Sequence, residues 1–145
     1  MEKQNDLSFR EVTASKKDSE ILYDLLAQRK HTISHEILPS KKEHVKFVFD
    51  HPYRYWFLIL EHNNIIGAFY ITFNNSISID LMPKKITKLE EILKLITENF
   101  QPMPEKKSIV PSYFYINLAI DNQSFIDELM RIKWKPIQMT FRKAN

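Results

Sequence analysis

The stretch S76-I-S-I-D-L-M-P-K-K-I-T-K-L-E-E-I-L-K-L-I-T-E-N-F100 joins a short strand to a helix and decides the fold. From Ser76 to Leu81, polar and apolar residues alternate, which is the period-2 pattern of a half-buried strand. From Ile86 onward, the apolar residues recur at the spacing of one helix face. Thr87 followed by Glu90 matches a capping box, so the sequence predicts a helix that begins near Thr87.

The turn between this strand and this helix is rich in lysine. Lys84 and Lys85 lie in the turn, and Lys88 follows just beyond it. The first N–H groups of a helix have no partner within the helix, and with lysines around them they are suited to an anion. The sequence therefore favours an anion site at this junction.

The composition is that of one globular domain, which we expect to span residues 1–145. The net charge of +3 is too mild for a dedicated nucleic-acid binder, so no nucleic-acid partner is expected. The chain has no cysteine, which excludes a thiolate metal site and a cysteine nucleophile. Its single glycine, Gly67, excludes a glycine-rich phosphate loop of the ordinary form.

The sequence also predicts where the protein resides. No apolar run approaches the roughly 20 residues that a membrane-spanning helix needs. The first ten residues are polar and lack the apolar core of a signal peptide. We therefore expect a cytoplasmic protein with no membrane partner.

Periodicity and turn residues predict ten elements in the order β-α-α-β-β-β-α-β-α-β. The predicted strands are 7–12, 55–60, 65–72, 77–82, 113–120 and one through Ile137, Met139 and Phe141. The predicted helices are 16–29, one opened by the capping box of Ser40 and Glu43, one near Thr87, and one after Asp121 and Asn122. These elements define an α/β fold whose mixed, mostly antiparallel central sheet is flanked by helices.

Several stretches, in this order, resemble the GNAT superfamily of N-acetyltransferases. Phe9–Thr13 is similar to that family's opening strand, and Lys42–Phe47 with His51–Ile59 is similar to its second helix and second strand. Ile65–Ile71 is similar to its third strand, where isoleucine and glycine commonly follow a turn. Ile120–Trp134 resembles the segment that usually ends in Gly-Phe. The order of these stretches carries the resemblance, because each one alone is weak.

The resemblance implies transfer of an acyl group from acetyl-CoA or another acyl-CoA to an amine of a small molecule or a peptide. It also implies that the pyrophosphate binds in the turn after the fourth strand, and that the pantetheine runs along the fourth and fifth strands. The cofactor-binding candidates that follow are Leu81, Met82, Lys84, Lys85, Thr87, Lys88, Asn117 and Asn122.

The sequence departs from the family pattern at several points. The family's turn reads Arg or Gln, two residues, Gly, one residue, then Gly or Ala, and no register of Pro83–Glu91 supplies a glycine. Leu129 stands where many members carry a tyrosine that protonates the leaving thiolate. Lys133 replaces the usual glycine before Trp134. The chain also stops one strand early, which leaves a sheet edge where we expect that a homodimer can form.

Four residues are candidates for proton transfer or acceptor binding. Asp80 is the only carboxylate on the predicted central strand, so it is the candidate general base; the alternative is a solvated strand residue. The resemblance places His31, His35 and Glu36 in the loop that lines the acceptor pocket. His35 and Glu36 are further candidate bases, although the polar stretch around the histidines favours exposed surface residues. The three residues do not amount to a metal site, and none is expected.

Tyr113 and Tyr115 are candidates for the acceptor pocket, and packing on a sheet face is their alternative role. Asn122 is a candidate for binding the cofactor and is equally explained as a helix cap. Two function hypotheses follow. The first is an acyl-CoA-dependent N-acetyltransferase, and the second is a non-catalytic GNAT-like domain that has lost CoA binding and binds another ligand or a protein.

Overall fold

The fold was analysed in a computed structural model, which describes residues 6–28 and 38–145. Within these residues the elements follow one another as strands, α-helices and one 3₁₀ helix. They are β1 Leu7–Glu11, α1 Lys16–Ala27, α2 Lys41–Phe49, β2 Tyr55–Glu61, β3 Asn64–Ile71, β4 Ser76–Leu81, the 3₁₀ helix Pro83–Lys88, α3 Leu89–Asn99, β5 Tyr115–Ile116 and α4 Gln123–Arg131.

The five strands form one sheet in the order β1-β2-β3-β4-β5. Each strand from β1 to β4 is antiparallel to its neighbour, and only β4 and β5 are parallel. The α/β class and the mixed, mostly antiparallel sheet are therefore confirmed. The parallel pair is short, since it joins only Ser76 to Tyr115 and Ile77 to Ile116.

Two hydrophobic clusters cover the two faces of the sheet. One cluster includes Leu89 and Ile92 of α3 and Phe125 of α4. The other includes Leu22 and Leu25 of α1 together with residues of α2 and of the central strands. Because side chains alternate along a strand, β4 sends Ile77, Ile79 and Leu81 toward α3 and α4, and its polar residues toward α1.

The starts of the first two helices are capped by side chains, the second through the predicted box of Ser40 and Glu43. The Ser15 hydroxyl accepts a hydrogen bond from the Asp18 N–H at 3.1 Å. Ser40 and Glu43 form a reciprocal capping box, with both hydrogen bonds at 3.2 Å. These contacts satisfy N–H groups that a helix leaves without partners, so both predicted starts are confirmed. The predicted end of the first helix at Arg29 lies outside the described residues.

The third helix begins near the predicted residue, but the predicted capping box of Thr87 and Glu90 is wrong. α3 begins at Leu89 without a side-chain cap, and Thr87 lies exposed within the preceding 3₁₀ helix. Pro83 favours this tighter start because its ring fixes φ and it lacks an N–H. The Lys85 N–H then donates to the Met82 carbonyl at 2.8 Å, so the chain is already helical when it reaches Thr87.

Two of the predicted strands differ from the structure. The strand expected over 113–120 forms only at Tyr115 and Ile116, because the chain then leaves β4. The strand expected through Ile137, Met139 and Phe141 is not formed: residues 132–145 carry no strand, and these three side chains are more than half exposed. Their alternation suits a half-buried strand, but a strand also needs a neighbouring backbone to pair with. None of the helices in the described ranges is long and apolar enough to cross a membrane.

Candidate functional site

A cleft of about 300 Å³ opens where β4 and β5 separate. Helix α1 forms one wall through Leu25 and Gln28, and β4 forms the floor. The first residues of the 3₁₀ helix, the chain after β5 and the start of α4 complete it. Its polar lining consists of Gln28, Ser78, Asp80, Asn117, Asn122 and Ser124.

The cleft exists because the β4–β5 pairing stops after two residues. The Tyr115 N–H donates to the Asn75 carbonyl at 3.1 Å, which joins the two strands at the start of β4. No paired residues are found beyond Ile77 and Ile116 in this described part of the sheet. Because β4 continues for four more residues, its edge faces the cleft over that length.

The register of β3 and β4 fixes which backbone groups face the cleft. The Met82 N–H donates to the Ile66 carbonyl at 2.9 Å, and the Thr72 N–H donates to the Ser76 carbonyl at 3.0 Å. Residues of an antiparallel pair alternate between bonding to the partner strand and pointing away from it. The N–H of Leu81 therefore points away from β3, toward the cleft, whereas the N–H of Met82 is already used.

The structure brings five of the sequence-predicted residues together. Asp80, Leu81, Met82, Asn117 and Asn122 all line the cleft. Among the described residues of the lining, only Asp80 carries a charge. It is partly buried on the face of β4 that meets α1. The lining thus combines one carboxylate, several amide groups and an open strand edge.

Asn122 occupies the position before α4, but its side chain does not act as a cap. The side chain makes no capping hydrogen bond, and only its main-chain carbonyl accepts from the Ile126 N–H, at 3.1 Å. The helix-cap explanation of Asn122 is therefore wrong. Asn122 is instead one of the residues that line the cleft.

The lysines of the turn after β4 contact a carboxylate at the far end of β2. The Lys85 Nζ lies 2.6 Å from the Glu61 Oε1, and the Lys88 Nζ lies 3.3 Å from the Glu61 Oε2. The hydrogen bond from Lys85 is the main cause that holds the pKa of Glu61 below its usual range. Neither lysine lines the cleft. Lys84 is exposed and has no ion pair among the described residues.

The backbone of the same turn is also occupied. Pro83 has no N–H, the Lys85 N–H donates to the Met82 carbonyl, and the Leu89 N–H donates to the Ile86 carbonyl. Because α3 follows the 3₁₀ helix without a break, its first turn presents no set of unpaired N–H groups. The residues present in this turn therefore do not form a cradle for a pyrophosphate.

The remaining predicted residues lie away from the cleft or outside the described ranges. Tyr113 is 53% exposed, Tyr115 belongs to β5, and neither lines the cleft. Thr87 is exposed. The loop candidates His31, His35 and Glu36 lie outside the described residues.

Sequence reasoning missed three polar residues of the cleft, Gln28, Ser78 and Ser124. The alternation of β4 contains the signal for Ser78, because it lies two residues before Asp80 and shares its face. No local pattern marks Gln28, since its place depends on how α1 packs over the sheet.

The sheet order, the helices on both faces and the cleft between the fourth and fifth strands are those of the GNAT N-acetyltransferases, and the chain has that fold. Solved structures support this. A domain from Methanocaldococcus jannaschii DSM 2661 has a TM-score of 0.62 and 14% identity, covering 92% of this chain and 91% of its own.

Two solved enzymes of known acceptor have the same fold. The ribosomal L7/L12 alpha-N-protein acetyltransferase RimL, in complex with coenzyme A, has a TM-score of 0.56 and 15% identity. The dodecameric spermidine N-acetyltransferase from Vibrio cholerae has a TM-score of 0.55 and 15% identity. Each match covers 90% of this chain and 80% of the other. No protein-family model and no curated protein matches the sequence.

Proposed function

We propose that the chain is an N-acyltransferase that transfers an acyl group from a thioester donor to an amine. The observation that carries this proposal is the juxtaposition in one cleft of the Asp80 carboxylate and the Leu81 edge of β4. The first group suits a base, and the second is a donor suited to a developing oxyanion. The acetyltransferase fold supports the same conclusion.

In this proposal Asp80 serves the acceptor. As the only charged side chain among the described lining residues, it attracts a protonated amine of a small molecule or a peptide. Asp80 first takes one proton from this ammonium group, directly or through a water, which frees the lone pair of the nitrogen. The neutral amine then attacks the thioester carbonyl carbon, and the nitrogen loses its second proton to solvent. The C–N bond forms as the C–S bond breaks.

The Leu81 N–H serves the donor. It points into the space between β4 and β5, where it donates a hydrogen bond to the carbonyl oxygen as negative charge develops there. The leaving thiolate takes its proton from solvent, because Leu129 is a buried core residue and has no proton to give. The products are an amide and a free thiol.

A second candidate function is a non-catalytic domain that binds another ligand or a protein. The observation in its favour is the turn after β4, where the side chains of Lys85 and Lys88 and the N–H groups of Lys85 and Leu89 are paired within the chain. The homodimer and the cytoplasmic location expected from the sequence stay proposals. The exposed apolar side chains of Ile137, Met139 and Phe141 support self-association.

Thermal unfolding with and without millimolar acetyl-CoA separates the two candidates. A ligand at 100 times its Kd stabilises the folded state by about 2.7 kcal/mol, a shift of several degrees. Release of free thiol in the presence of a panel of amines then reports turnover. No shift with any acyl thioester would contradict the transferase and favour the binding domain.

Replacing Asp80 with asparagine tests the proposed chemistry. Asp80→Asn keeps the shape of the side chain but removes the base, so we expect thiol release to fall about 100-fold or more. The thermal shift with the donor should be retained. Asp24→Asn, at an exposed residue of α1 that does not line the cleft, is the matched control and should change turnover only slightly. Unchanged turnover in Asp80→Asn would exclude this residue as the base.

A further inference from the structure

Most of the positive charge in the turn after β4 is already paired with a carboxylate of the chain. Two of its three lysines share the Glu61 carboxylate, whose side chain is only 11% exposed. A phosphate would have to displace Glu61 from both Lys85 and Lys88 before it could bind them. In the described chain, only Lys84 of this turn has no ion pair.

The only glycine serves the sheet and not a phosphate. A Cβ at Gly67 would overlap the Asp80 carbonyl oxygen and lie 3.0 Å from a methyl group of Leu81. The glycine therefore allows β3 to approach β4 beneath the cleft. The turn itself is built from Pro83 and side-chain-bearing residues, which keeps the backbone from a close approach to a phosphate.

The cleft differs from the turn because its described polar residues include three amides and no lysine. Gln28, Asn117 and Asn122, whose side chains end in amides, line the cleft, and the edge of β4 adds backbone amides. These groups match the uncharged amides of a pantetheine arm, since each amide both donates and accepts hydrogen bonds. The carboxylate of Asp80 disfavours a phosphate in the same space.

We infer that the donor is recognised through its acyl-pantetheine part and that a nucleotide adds nothing to binding. This inference rests on the proposed function, and it names the donor class as an acyl-pantetheine thioester. Such a thioester exists as a free small molecule or on the prosthetic arm of a carrier protein.

Calorimetric titration of the unmodified chain tests the inference. Its Kd for acetyl-CoA should lie within tenfold of its Kd for S-acetylpantetheine, and adenosine 3′,5′-bisphosphate alone should not bind. Binding of acetyl-CoA more than tenfold tighter would overturn the inference while leaving the transferase standing. Binding of neither thioester would overturn the proposed function as well.

A further arm of the titration identifies the source of the thioester. Tighter binding of an acetylated carrier protein than of S-acetylpantetheine would support a carrier-bound donor. Equal binding would support a free one. Both results fit the inference, because neither donor carries a nucleotide.

Removing the Glu61 carboxylate should allow Lys85 and Lys88 to bind the phosphates of acetyl-CoA. In Glu61→Gln, Lys85 and Lys88 lose their carboxylate partner, so we expect acetyl-CoA to bind about threefold to tenfold tighter and S-acetylpantetheine to bind as before. Glu98→Gln on the exposed face of α3 is the control, because it changes the net charge equally. No gain, or an equal gain for both donors, would overturn the role assigned to Glu61.

Discussion

The cleft and the turn that follows it are adjacent in the chain, yet their polar groups are used in different ways. In the cleft, the Asp80 side chain and the Leu81 edge of β4 face the space between two strands. In the turn, Lys85 and Lys88 contact Glu61, and the N–H groups of Lys85 and Leu89 donate to the carbonyls of Met82 and Ile86. Groups already paired within the chain must lose those partners before they bind a ligand. The Glu61 ion pairs therefore oppose phosphate binding in the turn, whereas the amide residues that line the cleft suit recognition of the donor.

The largest effect should come from Gly67→Ala, which changes the contact beneath the cleft. The added methyl group would overlap the Asp80 carbonyl oxygen, and since the obstacle is backbone, β3 and β4 must shift. We expect the free energy of unfolding to fall by about 3 kcal/mol, as in overpacked cores. Urea denaturation measures this.

The control for Gly67→Ala is Asn64→Ala, at the exposed start of the same strand. We expect it to change the free energy of unfolding by no more than about 0.5 kcal/mol. A Gly67→Ala chain as stable as the parent would mean that β3 and β4 are not this close. The cleft floor would then differ from the one described.

The sequence predicts those features of the site that follow from local patterns, such as the alternation of residues along β4. The period of β4 places Asp80 on a strand and sets Leu81 on the opposite face, and the structure agrees. The lysines of the turn could not be interpreted in the same way. Their partner, Glu61, lies 24 residues before Lys85, and no local pattern links the two.

A similar limit applies to the loop before β5. The sequence predicts a turn at Asn75, and its φ of 73° agrees with that. It does not predict that the buried Asn75 amide donates to the carbonyls of Met103 and Pro111, 28 and 36 residues away. These bonds place the chain that enters β5, and thereby set where the cleft begins. Contacts between distant segments follow from the assembled fold and not from periodicity.

Asn75→Asp should have the second-largest effect, because it removes the hydrogen bonds that hold the chain entering β5 at the end of the cleft. The carboxylate keeps the shape of the amide but presents an acceptor to the carbonyls of Met103 and Pro111. We expect a loss of about 2–3 kcal/mol in the free energy of unfolding, measured by urea denaturation. The donor should also bind more weakly, since β5 is no longer fixed.

Asn74→Asp is the matched control, because it makes the same change at the exposed neighbouring residue. It should leave both stability and donor binding near the parent values. If the two variants behaved alike, the anchoring role of the Asn75 amide would be refuted.

The smallest expected effect is a change of stability with pH. It should involve His44, which packs against α1, and not the Glu61 carboxylate of the turn. His44 belongs to α2, is only 7% exposed and packs edge-on to the Tyr23 ring of α1 at 5.4 Å. Its Nε2 has no hydrogen-bond partner in the described part of the chain. Burial lowers its pKa, although a hydrogen bond with the Ser19 backbone opposes this. Burial lowers the pKa of His51 as well.

A histidine with a lowered pKa in the folded state is held neutral there, so below its ordinary pKa of 6.5 the unfolded chain binds more protons. Stability should be full above pH 7 and fall as the pH drops below 6.5, by about 1 kcal/mol at pH 5. The turn should resist this change, because the pKa of Glu61 lies below its usual range and the lysine contacts persist. His44→Phe should reduce the loss measured by urea denaturation at pH 7 and pH 5. If the free energy of unfolding of His44→Phe fell with pH as in the parent, protonation of His44 would not be the cause of the loss.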